Sequence, residues 1–262
     1  MQVLSSGVDL SAFIARIADA PGRVLMLDYD GTLAPFRIDP AEARPYPEVP
    51  PLLEEIVATG ATRVVIVSGR PAQELPPLLD LTPRPEIWGS HGWERLLPDG
   101  RSQVEAPAAP ARQRLSEAAA AVREVMPAGA RLEHKLASVA LHWRGLHERE
   151  ASALREVATN LWGRSVSEGE LELLPFDGGL ELRAVGCNKQ YAVKAVLSET
   201  EEGAAIAYLG DDITDEDAFR AVKPRGIGVL VRAEFRETNA DVWIRPPHEL
   251  VAFLEHWRVS RR

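Results

Sequence analysis

Val24-Leu25-Met26-Leu27-Asp28-Tyr29-Asp30-Gly31-Thr32 is the stretch on which the fold turns. Four apolar residues follow one another without alternation and stop at two acids, a glycine and a threonine. A strand that is apolar at every residue is covered on both faces, as in a parallel sheet, and the polar break marks the loop at its carboxyl end. The pattern returns at Arg63-Val64-Val65-Ile66-Val67, which stops at Ser68-Gly69-Arg70, and at Ala205-Ile206-Ala207-Tyr208-Leu209, which stops at Gly210-Asp211-Asp212. Ile227-Gly228-Val229-Leu230-Val231 predicts a fourth strand and Asp241-Val242-Trp243-Ile244 a short fifth.

Helical spacing lies between these runs. Leu52, Leu53, Ile56 and Val57 predict a helix over residues 51–58, and residues 189–197 and 216–222 predict two more. A closing helix over 247–257 opens with a proline, which suits a first helical turn. Strand and helix in alternation imply an α/β fold, a parallel sheet with helices on both faces. Ligands in such sheets bind beyond the carboxyl ends of the strands, where the acidic and hydroxyl clusters fall.

The middle of the chain reads differently. Residues 105–110, rich in alanine and proline, predict a linker. A helix over 111–125, a segment Arg131-Leu132-Glu133-His134-Lys135, an alternating strand over 138–143 and a helix over 151–162 follow. Two short strands, 165–167 and 170–174, are expected around a turn at Gly169. This is a compact α+β insert, placed at 108–178, between core segments 1–107 and 179–262.

Composition narrows the function. The chain has 262 residues, 45% of them hydrophobic, and a formal net charge of −9. That charge argues against a nucleic-acid partner, which needs clustered Lys and Arg. No run approaches the roughly 18 to 20 apolar residues that span a membrane, and the first residues lack the pattern of a secretory signal. One cysteine, Cys187, excludes an intramolecular disulfide and suits a reducing compartment. A cytoplasmic enzyme of small molecules is the expectation.

Four clusters carry chemistry. Asp28 and Asp30 stand two apart at a strand end, where their mutual repulsion calls for a divalent cation. Gly31 and Thr32 offer backbone N–H groups in a tight loop, a cradle for phosphate oxygens. Ser-Gly-Arg at 68–70 offers a hydroxyl and an amide, although a serine before Pro71 is equally a helix cap. Gly210-Asp211-Asp212-Ile213-Thr214-Asp215-Glu216-Asp217 packs five acids after a buried strand; metal binding is the reading, with Asp215, Glu216 and Asp217 equally suited to a helix start. Lys189 begins a helix, where the dipole disfavours a cation, and so points to a second task beside an anion.

Together these clusters resemble, in order, the four motifs of the haloacid dehalogenase superfamily, and more narrowly the trehalose-6-phosphate phosphatases. The narrower resemblance also rests on Gly89-Ser90-His91-Gly92-Trp93-Glu94, Glu133-His134-Lys135, His142-Trp143-Arg144 and Glu181-Leu182-Arg183. It implies a Rossmann-like core with an inserted α/β cap of the C2B type, a magnesium ion, and hydrolysis of trehalose 6-phosphate through an aspartyl phosphate. By position it implies Asp28 as nucleophile and Asp30 as acid and base. Gly31, Thr32, Ser68, Gly69 and Lys189 would hold phosphate. Asp28, Asp30 (through its carbonyl), Asp211 and Asp215 would form the metal site. Arg70, His91, Glu94, Lys135, Arg144, Glu181 and Arg183 would lie on the sugar or cap side. The expected partner is a small sugar phosphate, supplied by a separate synthase to a monomer. Other sugar phosphates or a glycosyl-phosphoglycerate remain open as substrates, as does a non-catalytic sensor of sugar phosphate. The resemblance departs at Arg183-Ala184 and Lys189-Gln190, where many relatives carry proline and glycine.

Overall fold

The computed structural model describes residues 1–166, 169–186 and 188–258. Two compact units result, one from Met1–Gln103 with Lys189–Arg262 and one from Val104–Asn188. The first segment of the larger unit contains β1 (Gln2–Val3), α1 (Leu10–Asp19), β2 (Arg23–Leu27), α2 (Val49–Ala58), β3 (Arg63–Val67), α3 (Pro76–Leu79), β4 (Glu86–Gly89) and β5 (Glu94–Leu96), and the unit boundary falls in β6 (Ser102–Val104). The smaller unit continues with α4 (Ala109–Arg123), β7 (Arg131–His134), β8 (Ser138–His142), α5 (Glu148–Val166), β9 (Leu171–Phe176) and β10 (Gly179–Ala184). The second segment of the larger unit adds α6 (Lys189–Ser198), β11 (Ala205–Gly210), α7 (Glu216–Val222), β12 (Ile227–Val231), β13 (Val242–Ile244) and α8 (His248–Glu255).

The sheet order in the larger unit is β1-β13-β12-β11-β2-β3-β4-β5-β6. Its centre, from β13 to β4, is parallel throughout. The unbroken apolar runs follow from burial on both faces. Leu25 and Leu27 of β2 pack with Phe13 and Ile17 of α1, Leu53 of α2 and Phe253 of α8. The alternate residues Val24 and Met26 pack with Val193 and Val196 of α6 and Phe219 of α7. Period-two alternation thus serves two cores at once, and truncating either set to alanine costs about 2 to 5 kcal/mol per residue. Register brings Leu27 of β2 beside Ile66 of β3 and Leu209 of β11, so the three polar breaks emerge at one edge of the sheet.

The smaller unit is a four-stranded antiparallel sheet, order β7-β8-β10-β9, with α4 and α5 against it. Residues directly opposite one another share a face. Pairing of Glu133 and Glu181 with Ala140, and of Arg183 with Ser138 and Glu172, gathers Arg131, Glu133, Ser138, His142, Glu172, Glu181 and Arg183 on one face. Leu132, Val139, Leu141, Leu171, Leu173, Leu180 and Leu182 form the other. The helices bury matching stripes, Leu115, Ala118, Ala119 and Val122 on α4 and Leu154, Ala158 and Trp162 on α5.

Two local expectations change. Ser165 and Val166 are helical, not a strand: they continue α5, whose buried residues Leu154, Ala158 and Trp162 recur at four-residue spacing; Ser167 lies outside the described residues. The last two strands are β9 and β10, joined across Asp177-Gly178, a two-residue hairpin turn with Gly178 at φ +84°. Glu181 and Arg183 therefore belong to the sheet of the smaller unit, and that unit runs on to Asn188 where the sequence reading placed its end at 178.

Candidate active site

Three strands and one helix deliver the central groups. The apolar run of β2 ends one residue before Asp28, whose N–H donates to the Leu209 carbonyl at 2.9 Å and so docks beside β11. The run of β11 ends at Gly210, followed by Asp211. Lys189 is the first residue of α6 and is buried. Its Nζ lies 2.7 Å from Asp28 Oδ1 and 2.7 Å from Asp215 Oδ1. The lysine that the helix dipole disfavours is held by two carboxylates.

Carboxylate oxygens of Asp28, Asp211 and Asp215 lie within 4.8 Å of one another, all three residues buried. Asp215 is saturated: Oδ1 accepts from Lys189 and from the Tyr208 hydroxyl at 2.5 Å, and Oδ2 from the N–H groups of Asp211 at 3.1 Å and Asp212 at 3.0 Å. Asp211 is the opposite case. Its Oδ1 is buried without a hydrogen-bond partner among the described residues. Among the described residues, Asp28 Oδ2 receives only the Thr32 hydroxyl, at 3.3 Å.

The electrostatics follow from this arrangement. Burial is the main force raising the Asp28 carboxyl to about 7; Lys189 opposes it, and Asp215 and Asp30 add to it. Burial, with Asp28 and Asp215 close by, pushes Asp211 well above the usual carboxylate range. Lys189 moves up as well: burial alone would lower it, but Asp215 and Asp28 outweigh burial and keep it charged. Lys189, with the Arg232 guanidinium 3.9 Å from Asp211 Oδ2, still leaves the three buried acids short of neutral. A hard divalent cation fits Asp211 Oδ1, unpartnered among the described residues, and Asp28 Oδ2, both oxygen donors of the kind magnesium takes.

The other acids of the run are otherwise employed. Asp212 caps the 3-10 turn Ile213–Asp215, accepting from the Ile213 N–H at 2.8 Å. Asp217 pairs with Arg220, and Glu216 accepts from Arg236 and from Thr238 and Asn239.

The expected phosphate cradle is partly different. Gly31 donates its N–H to the Ala34 carbonyl at 2.7 Å, closing its own loop. Glycine is needed there for another reason: φ is +86°, and a Cβ would stand 2.1 Å from Asp211 Oδ2. At Gly69 a Cβ would stand 2.6 Å from the His91 ring. Ser68 is buried, and its Oγ accepts from the Arg70 N–H at 3.2 Å, a local turn bond. Arg70 grips Asp30 in a two-pronged ion pair, Nε to Oδ2 at 2.6 Å and Nη2 to Oδ1 at 2.7 Å, and its Nη1 reaches the Pro40 carbonyl at 3.0 Å. Glu94 accepts from Ser90 Oγ at 2.6 Å and the Ala72 N–H at 2.9 Å, tying loops together.

In the smaller unit, Lys135 Nζ lies 3.5 Å from Glu181 Oε1, which also accepts from Ser138 Oγ at 2.7 Å. Arg183 Nε donates to Glu172 at 2.6 Å, and Arg144 to the Asp177 carbonyl at 2.5 Å. Sequence reasoning left out the His142–Glu133 pair, 3.1 Å apart on this face; the alternation of residues 138–143 already put His142 beside Ser138. It also left out Tyr208, hidden in an apolar run, and Arg236, which has no motif around it.

The trehalose-phosphatase family matches residues 26–242. A trehalose-phosphate phosphatase of Mycobacterium marinum is 34% identical over 81% of this chain and 54% of its own length. Trehalose-phosphate phosphatase B of Arabidopsis thaliana is 28% identical, over 95% of this chain and 70% of its own. This chain spans about half the length of the mycobacterial trehalose-phosphate phosphatases it matches. Among solved structures, the C-terminal domain of Candida albicans trehalose-6-phosphate phosphatase superposes with a TM-score of 0.84 at 19% identity, covering 98% of this chain and 99% of that one. A haloacid dehalogenase-like hydrolase from Bacillus subtilis gives 0.63 at 14% identity, over 89% and 99%. These two likenesses speak for the fold.

Proposed function

The chain belongs to the trehalose-phosphatase family, and from that premise we propose that it hydrolyses trehalose 6-phosphate to trehalose and phosphate. The observation that carries the reading is the convergence of Asp28, Lys189, Asp211 and Asp215 in one buried cluster with an unpartnered carboxylate oxygen.

In the first transfer an Asp28 carboxylate oxygen attacks phosphorus. The bond from phosphorus to the sugar oxygen breaks, and Asp30, which must enter this step protonated and loosened from its pair with Arg70, gives that oxygen its proton. In the second, Asp30 takes a proton from water, water attacks the aspartyl phosphate, and inorganic phosphate leaves as Asp28 is regenerated. Lys189 beside Asp28 supplies positive charge to an approaching phosphate, and positioning with charge neutralisation is most of what phosphoryl transfer requires. A bound magnesium ion, held by Asp28 and Asp211 with the Asp30 carbonyl and with Asp215 in support, would screen phosphate charge and favour ionised Asp28. Arg70 uses three of its five N–H groups on Asp30 and Pro40, so its role here is to orient the acid–base group. Ser68 and the loop at Gly31 and Thr32 border the phosphate. His91 and Glu94, and Lys135, Arg144, Glu181 and Arg183 of the smaller unit as a cap, belong to the sugar side in this reading.

No described helix is long and apolar enough to cross a membrane. A cytoplasmic monomer fed by a separate synthase completes the proposal. The test is phosphate release from a panel of sugar phosphates with magnesium present. Trehalose 6-phosphate should give the highest kcat/KM; equal or better turnover of another sugar phosphate would displace it, and no release from any would leave a sensor.

A further inference from the structure

We infer that Arg236 is a positioning residue that fixes Asp211 for a divalent cation, with Glu216 as its anchor; the inference rests on the cation reading above. Arg236 lies between β12 and β13. Its Nε donates to the Asp211 carbonyl at 3.1 Å and its Nη2 to the Asp212 carbonyl at 2.7 Å. Its Nη1 pairs with Glu216 and donates to the Glu237 carbonyl at 2.8 Å. Glu216 is held in turn by Thr238 Oγ1 at 2.9 Å and by the Asn239 N–H at 2.7 Å and Nδ2 at 2.8 Å.

The consequence falls on one residue. The Asp211 N–H is fixed by Asp215 Oδ2 at 3.1 Å, and the Asp211 carbonyl by Arg236. With its main chain held at both ends, Asp211 presents a buried Oδ1 that no described group uses. Only a planar fork reaches two consecutive carbonyls and a carboxylate together; a lysine ammonium is a single point and cannot. Releasing the fork frees the acidic loop, and that freedom must then be lost again when a cation binds. The inferred effect is therefore on cation affinity, with the chemistry of the loaded site unchanged.

The experiment is calorimetric titration of magnesium into the wild type, Arg236→Lys and Glu216→Gln, with circular dichroism and melting in chelator to check folding. The expected result is affinity weakened about 10- to 100-fold in Arg236→Lys, the scale seen when groups that orient a metal ligand are lost, and weakened less in Glu216→Gln. Phosphate release should return to near the wild-type kcat once magnesium saturates. Wild-type affinity in both folded variants would overturn the role of Arg236 alone, as would a kcat that stays low at saturation with affinity unchanged. A flat wild-type isotherm would instead bring down the cation reading, and this inference with it.

Discussion

The two polar clusters of the chain are assembled on opposite principles. In the larger unit, acids from residues 28 and 211–215, separated by most of the sequence, meet at strand ends around the Lys189 amine with Arg232 3.9 Å from Asp211, and negative charge is left over. In the smaller unit, charges sit on one face of an antiparallel sheet and each acid has a basic neighbour: Glu133 has His142 and Lys135, Glu181 has Lys135, Glu172 has Arg183. The acids respond accordingly. Asp28 is raised to about 7, with burial the largest cause. Burial also acts to raise Glu133, but His142, Lys135 and Arg131 outweigh it and hold the carboxyl at about 2. Uncompensated charge marks a place where a ligand must complete the balance; compensated charge offers directional hydrogen bonds from a face already at rest.

The sharpest way to break this contrast is Asp28→Asn. It should lower phosphate release on the order of 10⁴-fold or more, as loss of a nucleophile does, with circular dichroism unchanged; substantial turnover would remove Asp28 as nucleophile. Next comes Lys189→Met, which strips from the acidic cluster its one amine among the described residues. Removing one member of a buried ion pair costs about 3 to 5 kcal/mol, to be read from urea unfolding in chelator; magnesium should recover part of it. A third test uses pH. The unfolded Asp28 releases its proton near the ordinary value of 3.8, while the folded, cation-free protein keeps it until about 7. The folded state holds the extra proton between those values, so stability should fall as pH rises through that window. Magnesium should reverse the trend and release protons on binding, detectable as buffer-dependent calorimetric heats. The smallest effect belongs to the other cluster. The depressed Glu133 lends stability above its unfolded value of 4.5, lost as pH falls toward about 2. Glu133→Gln should flatten acid unfolding over that interval; an unchanged acid limb would show that the pair contributes nothing.

Much of the larger unit was legible because its strands are apolar on both faces and its polar breaks are abrupt. Val24–Leu27, Val64–Val67 and Ile206–Leu209 announce buried strands, and the acids behind them announce a site. The helix-start lysine at 189 was legible through its conflict with the dipole. The smaller unit was harder to read. Ser165-Val166 looks like a strand start, yet Trp162 keeps the helical stripe going. The Asp177-Gly178 turn, which fixes β9 and β10, is a hairpin signal in the sequence that the reading, centred on a turn at Gly169, passed over. What no pattern conveys is side-chain pairing at a distance. The resemblance sets Arg70 on the sugar or cap side, and its two-pronged hold on Asp30 depends on a contact across 40 residues. Arg236 is an ordinary loop arginine until its three bonding directions are seen.

The chain order of the units has a consequence for biosynthesis. The smaller unit is one continuous segment, whereas the larger is made in two pieces with that segment between them. While translation proceeds, β2 has β3 on one side but an open edge on the other, because its second neighbour, β11, begins only at residue 205. At about 5 to 20 residues per second, that edge of bare N–H and carbonyl groups waits many seconds for its partner. The contiguous unit can fold in the interval, and a ribosome stalled in residues 104–204 would leave a sticky half-sheet exposed to aggregation.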